Sequence, residues 1–264
     1  MMSHVETLNE SNVEDVLAIL ARDPLANIIL IADCTQLRNW CDVQVLRVGD
    51  QIWAVFALYS DLDFLATAFW AMDTECLKEI VEPFRDRLQS HRFVAICTEE
   101  QLEQIRTISS DVDPIEERQM FAGRDTELRC ECKSVPVRMT RTHAQQLKEL
   151  YRMCGTPAWT PSALDLGPSY GILTDDDRVV SVAGVHFVTP HGAEIGNVAT
   201  HPEHRRKGYA EACIKAVVQD VLTDSDCAIL HYFADNKAAQ KLYERMGFEY
   251  SHVNPLYFVK ARLQ

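Results

Sequence analysis

The sequence predicts an α/β (α+β) chain built from two tandem units, and three features predict it. Short strand signals alternate with amphipathic helical patterns along the whole length. Two stretches, opening at Val5 and at Val135, share one plan of strand, polar cap and helix. Tight turns such as Gly49-Asp50-Gln51 join neighbouring strands as hairpins, which makes those pairings antiparallel. With 264 residues, 47% of them apolar, the chain is long enough for two cores of modest size.

In order, Val5 begins a short strand, and Ser11 or Asn12 caps a helix with acidic residues in its first turn. Pro24 ends that helix, and a second apolar helix is expected over Asn27–Leu37. Strand signals follow at Val43–Val48, Ile52–Tyr59 and Phe64–Phe69. Glu75–Leu88 reads as a helix, Phe93–Cys97 as a buried strand and Glu99–Ile108 as a helix. Ser109–Asp113 is turn-like, and Leu128–Cys132 reads as extended. In the second half, the helix after Val135 leads into a loop over Gly155–Gly167 rich in Pro, Gly and Thr. Strands are expected over Ser169–Leu173, Arg178–Val188 and Ala193–Thr200, then a helix over Gly208–Leu222 and a strand over Cys227–Phe233. A helix over Asn236–Met246 ends at Gly247, and Tyr250–Val259 supplies the last strand. The two units are expected as residues 1–133 and 134–264.

One stretch states a chemistry. After the strand ending at Thr200, His201-Pro202 breaks the chain, His204-Arg205-Arg206-Lys207 adds positive charge, and Gly208 opens a helix. Amides at a helix start have no intrahelical acceptor, and the helix dipole favours negative charge there. The reading is a phosphate or pyrophosphate cradle. It stands out in a chain with 26 basic and 39 acidic residues and a net charge of −13, a balance that argues against nucleic-acid or anionic-membrane partners. The matching place in the first half, Ala66–Thr74, has neither glycine nor basic residue, so one active site per polypeptide is expected. The N-terminal residues show no signal peptide, and no apolar run nears the roughly 20 residues that span a bilayer. Nine cysteines, an odd number, point to free thiols in a reducing cytoplasm. Cys130-Glu-Cys132 has no partner motif, so no metal is expected. P-loop and nucleophile-elbow motifs are both missing from the sequence.

Two motifs make the second half similar to the GCN5-related N-acetyltransferase (GNAT) superfamily. Arg205, Gly208 and Ala210 meet the family's Gln/Arg-x-x-Gly-x-Gly/Ala pattern, with Ala210 where many members carry Gly. Asn236-Lys-Ala-Ala-Gln-Lys-Leu-Tyr243-Glu-Arg-Met-Gly247-Phe248 resembles its later Asn…Leu-Tyr…Gly-Phe signature, 26 residues beyond Ala210. The wording of the loop resembles the FR47-like branch. The resemblance covers residues 134–264, and the first half shares only the element order. It implies tandem GNAT-like units, each a mixed, mostly antiparallel sheet flanked by helices, with a degenerate N-terminal copy.

The resemblance also implies roles. The backbone of Val198, Ala199 and Thr200 would pair with the pantetheine arm of acetyl-CoA. The amides of Arg206, Lys207, Gly208, Tyr209, Ala210 and Glu211, beside Arg205, would hold the pyrophosphate. Asn236 would contact the cofactor near the thioester, and the Tyr243 hydroxyl would protonate or stabilise the departing thiolate. A base is needed because an amine attacks only when unprotonated. Glu194 lies four residues before Val198, so an unbroken strand puts the two on one face; the other reading is a solvated strand-end glutamate. His231 is the second candidate, or a histidine that is simply hydrogen-bonded. Tyr243 on an amphipathic helix also reads as a core residue. The expected function is N-acetyl transfer from acetyl-CoA to a primary amine on a small molecule or peptide, by direct attack in a ternary complex, in a cytoplasmic monomer or homodimer. The alternative is a non-catalytic acyl-CoA-binding regulatory module.

Overall fold

The structure, a computed structural model, describes residues 2–155 and 159–264. The chain forms two compact units, Met1–Arg118 with His252–Gln264, and Gln119–Ser251. The expected boundary after residue 133 therefore falls inside the second unit.

In chain order the first elements are β1 (Ser3–Thr7), α1 (Val13–Leu20), α2 (Ile28–Cys34), β2 (Cys41–Val48), β3 (Gln51–Tyr59), β4 (Leu65–Ala71), α3 (Thr74–Ile80), α4 (Arg85–Ser90), β5 (Phe93–Thr98), α5 (Glu99–Ile108) and β6 (Asp113–Gly123). The next are β7 (Val137–Arg138), α6 (Ala144–Cys154), α7 (Ala163–Leu166), β8 (Tyr170–Leu173), β9 (Val179–Thr189), β10 (Gly192–Thr200), α8 (Tyr209–Val221), β11 (Cys227–Phe233), α9 (Lys237–Met246) and β12 (Glu249–Tyr250). The closing strand β13 (Leu256–Ala261) returns to the first unit, antiparallel to β5 and to the first part of β6.

The two units repeat one pairing scheme. In the first, β1, β2, β3 and β4 pair antiparallel in succession, and β4 pairs parallel with β5. In the second, β7, β8, β9 and β10 pair antiparallel, and β10 pairs parallel with β11. Each sheet is covered on both faces. In the first unit Val16, Leu20 and Leu30 of α1 and α2 pack with Val45 and Val55, while Leu77, Ile80 and Leu102 of α3 and α5 pack with Phe56 and Leu58. In the second, Leu147 and Leu150 of α6 pack with Val182, while Ile214, Val217 and Met246 of α8 and α9 pack with Ala193, Ile195 and Leu230. Each such Leu, Ile or Val contributes about 1.5–3 kcal/mol on burial.

Several local readings change. The single helix expected over Glu75–Leu88 is broken by a 3₁₀ turn at Glu82–Phe84, because Pro83 has no amide to continue the α ladder. Leu128–Cys132 is irregular. The longest miss is β6, whose run of Glu116, Glu117 and Arg118 hides its strand character. Of the expected loop at Gly155–Gly167, residues 156–158 lie outside the described residues, and Ala163–Leu166 forms a helical turn.

Candidate active site

The site is built where β10 and β11 separate. Ala193, Glu194 and Ile195 pair with Ala228, Ile229 and Leu230, and beyond that point the two strands run on without pairing each other. The cause lies in β10. Three residue steps from Gly196 to Ala199 face only two on β9, from Gly184 to Val182, so one extra residue is inserted in β10. Asn197 sits there with φ +52. Such a bulge bends the strand and disrupts the ladder locally.

The bulge corrects one expectation. Glu194 and Val198 do not share a face, because the inserted residue reverses the alternation. Val198 packs with Ala193 and Ile195 on the α8–α9 side, while Ala199 packs with Met139 and Leu150 on the α6 side. Two carbonyls of the expected pantetheine edge already carry hydrogen bonds: Arg205 Nε donates to Thr200 O at 3.2 Å, and Ser181 Oγ donates to Ala199 O at 3.3 Å.

Glu194 is buried at 8% exposure, which removes the solvated reading. Its Oε1 lies 2.8 Å from His231 Nδ1, and His231 Nε2 lies 3.0 Å from Nε2 of Gln119. A neutral ring satisfies both contacts if Gln119 donates to Nε2 and Nδ1–H donates to Glu194, a tautomer inferred from the partners. Burial by itself would raise the Glu194 carboxyl. The interactions with His231, its hydrogen bond included, and the nearness of His186 outweigh burial and hold Glu194 below the ordinary glutamate range. Neither Gln119 nor His186 stood out in sequence. Gln119 lies in the unrecognised β6, and His186 lies mid-strand in an apolar run.

Tyr243 takes the opposite face. On β11, Tyr232 and Leu230 point to the α8–α9 side with Tyr243, and His231 between them points away. The Tyr243 ring is buried 5.7 Å from Tyr232 and 5.9 Å from Phe248, so the core reading also holds. Burial pushes its hydroxyl up to about 12, and among the described residues that hydroxyl makes no hydrogen bond. Asn236 is the N-cap of α9, its Oδ1 accepting from Ala239 N at 3.1 Å.

The basic loop folds as an open cradle. His201 Nδ1 accepts from Glu203 N at 3.3 Å, and a 3₁₀ turn follows at Pro202–His204. Arg206 and Gly208 take left-handed backbone, at φ +62 and +75. Among the described residues, no side chain caps the N-terminus of α8. Arg205, Arg206 and Lys207 are exposed and, among the described residues, make no ion pair. Glu211 brings a carboxylate into the first turn, but Arg245 Nε donates to it at 3.1 Å and neutralises it. The cradle thus fits an anion. Glycine is needed at position 208 because of its backbone and its neighbour. A Cβ there would lie 2.8 Å from Cys132 Cβ, on a backbone that L-residues rarely adopt. Gly208→Ala is expected to weaken acetyl-CoA binding about tenfold, or about 1.4 kcal/mol. Isothermal titration calorimetry checks this, and an unchanged affinity would separate Gly208 from the cradle.

The first unit fills the same places with its own side chains. Asp73 caps α3, accepting from Cys76 N at 2.8 Å, and those amides hold its carboxyl below the usual range. Past the β4–β5 pairing, which ends at Thr67 and Ala95, Gln101 Nε2 donates to Phe69 O and Gln104 Nε2 to Ala71 O at 3.3 Å.

With this geometry in place, residues 137–248 match the sequence model of the Acetyltransferase (GNAT) family. This segment is a GNAT domain. A mycothiol acetyltransferase from Kocuria rhizophila is 33% identical over 92 residues, covering 31% of this chain and 29% of that relative, so the match spans less than a third of its length. A GCN5-related N-acetyltransferase from Sphaerobacter thermophilus superposes with a TM-score of 0.68 at 14% identity, over 99% of this chain and 95% of the other. A tandem GNAT protein from the clavulanic acid biosynthesis pathway does so with a TM-score of 0.67 at 13% identity, over 99% and 98%. These likenesses show the fold, and with the repeated pairing scheme they make both units GNAT-like. All nine cysteines are free, no described helix is long and apolar enough to cross a membrane, and no group of metal-ligating side chains occurs among the described residues.

Proposed function

We propose that the protein transfers an acetyl group from acetyl-CoA to a primary amine, with Glu194 as base and Tyr243 as the donor to the leaving sulfur. One observation carries this reading. The pairing of β10 with β11 ends at Ile195 and Leu230, with Glu194 and His231 on one face of these strands and Tyr243 packed on the other. In this reading the thioester would lie where the strands part, with the base reaching it from one face and the acid from the other. Acetyl-CoA, when bound, supplies the activated acyl group. The α8 amides with Arg206 and Lys207 would hold its pyrophosphate, and the amide nitrogen of the Asn236 side chain would approach its thiol end.

Glu194 is preferred over His231 as base because both His231 ring nitrogens already have partners, while only one Glu194 oxygen faces His231. Below the ordinary glutamate range, Glu194 cannot fully deprotonate a free ammonium. It takes the proton as the C–N bond forms, when the amine nitrogen becomes acidic. Tyr243, pushed up to about 12, stays protonated at neutral pH and stabilises the thiolate by hydrogen bonding more than by complete transfer.

The acceptor is a small-molecule or peptide amine, and the free cysteines fit a cytoplasmic setting. Acetyl-CoA with a panel of amines, followed by release of free thiol, tests the reading. Turnover with an amine supports it, and tight binding without release for any amine favours the non-catalytic binding module. The self-filled first unit leads to a further expectation of one acetyl-CoA bound per chain; a calorimetric stoichiometry of two would contradict it.

A further inference from the structure

We propose that His186 relays protons between Glu194 and solvent, an assignment that rests on the acyl-transfer reading above. The base must lose the proton it gains, and His231 is badly placed to carry it away. Its side chain is 5% exposed, and its two nitrogens face Glu194 and Gln119, so releasing a proton outward breaks a buried hydrogen bond.

His186 is placed for that task by two irregularities. On β9 it is the extra residue between Phe187, opposite Glu194, and Val185, opposite Ile195. A bulge of this kind re-aims the side chain it contains. The ring lies directly over Gly196, where an added Cβ would fall 1.9 Å from both its Cδ2 and Nε2. Glu194 and Gly196 are two residues apart on β10, before the β10 insertion, so they share a face at a spacing of about 7 Å. The imidazole therefore occupies the position beside Glu194 on the base side of the sheet. It is half-buried and, among the described residues, its nitrogens make no hydrogen bond. The bare backbone of Gly196 is the seat that lets the ring reach this place.

The step balances without an added reactant. As the amine nitrogen bonds to the acyl carbon, the C–S bond breaks and its electron pair leaves with sulfur. The N–H proton passes to Glu194, from Glu194 through an intervening water to a neutral His186 nitrogen, and from the imidazolium to bulk water. Both residues return to their starting states.

The test is chemical rescue. His186→Ala empties the seat over Gly196, and turnover is expected to fall about tenfold to a hundredfold with acetyl-CoA affinity unchanged. Added imidazole should enter the seat and restore much of the loss, a recovery that a purely structural role does not produce. His186→Ala combined with Gly196→Ala fills the seat and should not be rescued. Turnover within twofold of the native enzyme, or a loss that imidazole does not restore, overturns the relay. A second measurement needs no turnover. Diethyl pyrocarbonate should modify His186 and spare His231 in the resting protein, and the reverse pattern overturns the assignment. If the native protein acetylates no amine, the acyl-transfer reading falls, and the labelling still decides which imidazole is free to exchange protons.

Discussion

Tyr243→Phe is expected to lower kcat about a hundredfold while acetyl-CoA affinity changes by less than about twofold, the loss typical of removing one preorganised donor to developing negative charge. The fold should tolerate the change. The ring keeps its contacts with Tyr232 and Phe248, and the lost hydroxyl has no hydrogen bond among the described residues. An unchanged thermal midpoint with reduced turnover assigns the effect to chemistry. An unchanged kcat removes Tyr243 from the mechanism and leaves it as a core aromatic.

Glu194→Gln should cost more, about a hundredfold to ten-thousandfold in kcat, the range for removing a general base. The amide keeps the volume and can still accept from His231 Nδ1–H, so the local hydrogen bonding survives. The variant also carries a pH signature. Glu194 is held below its ordinary value of 4.5 by His231 and His186 against the opposing effect of burial. A group with a depressed folded-state pKa contributes stability that is present above its unfolded-state value and is lost as pH falls through the folded-state value. The stability difference between native protein and variant should therefore be larger at pH 7 than near pH 4, measured by urea unfolding at each pH. A gap that widened on acidification would contradict the direction of the shift.

These predictions draw unequally on the sequence. The cradle was legible because its signals are local. Gly208 before an apolar helical stripe, Pro202 after a strand, and three successive cations state the loop, and the structure shows the uncapped helix start they imply. Tyr243 and Asn236 were legible through the motif they share, and the structure adds that Asn236 caps its helix. The hairpins and the repeated plan of the two units were also local, since alternation and turn residues write themselves into consecutive positions.

What stayed hidden was long-range. The Glu194–His231–Gln119 chain joins three strands, and its sequence separations of 37 and 112 residues leave no pattern to read. The β10 insertion was hidden because period-two reasoning assumes an unbroken ladder, and the partner strand alone reveals the extra residue. Gly208 and Gly196 make the same point. The sequence by itself determined that a basic loop opening a helix at Gly208 is followed by the motif carrying Asn236 and Tyr243. The tertiary structure decided which faces they take, that β10 parts from β11 after Ile195, and that Gly196 seats a histidine. Those outcomes depend on strand register and on side-chain contacts across strands, which arise only when distant segments pack.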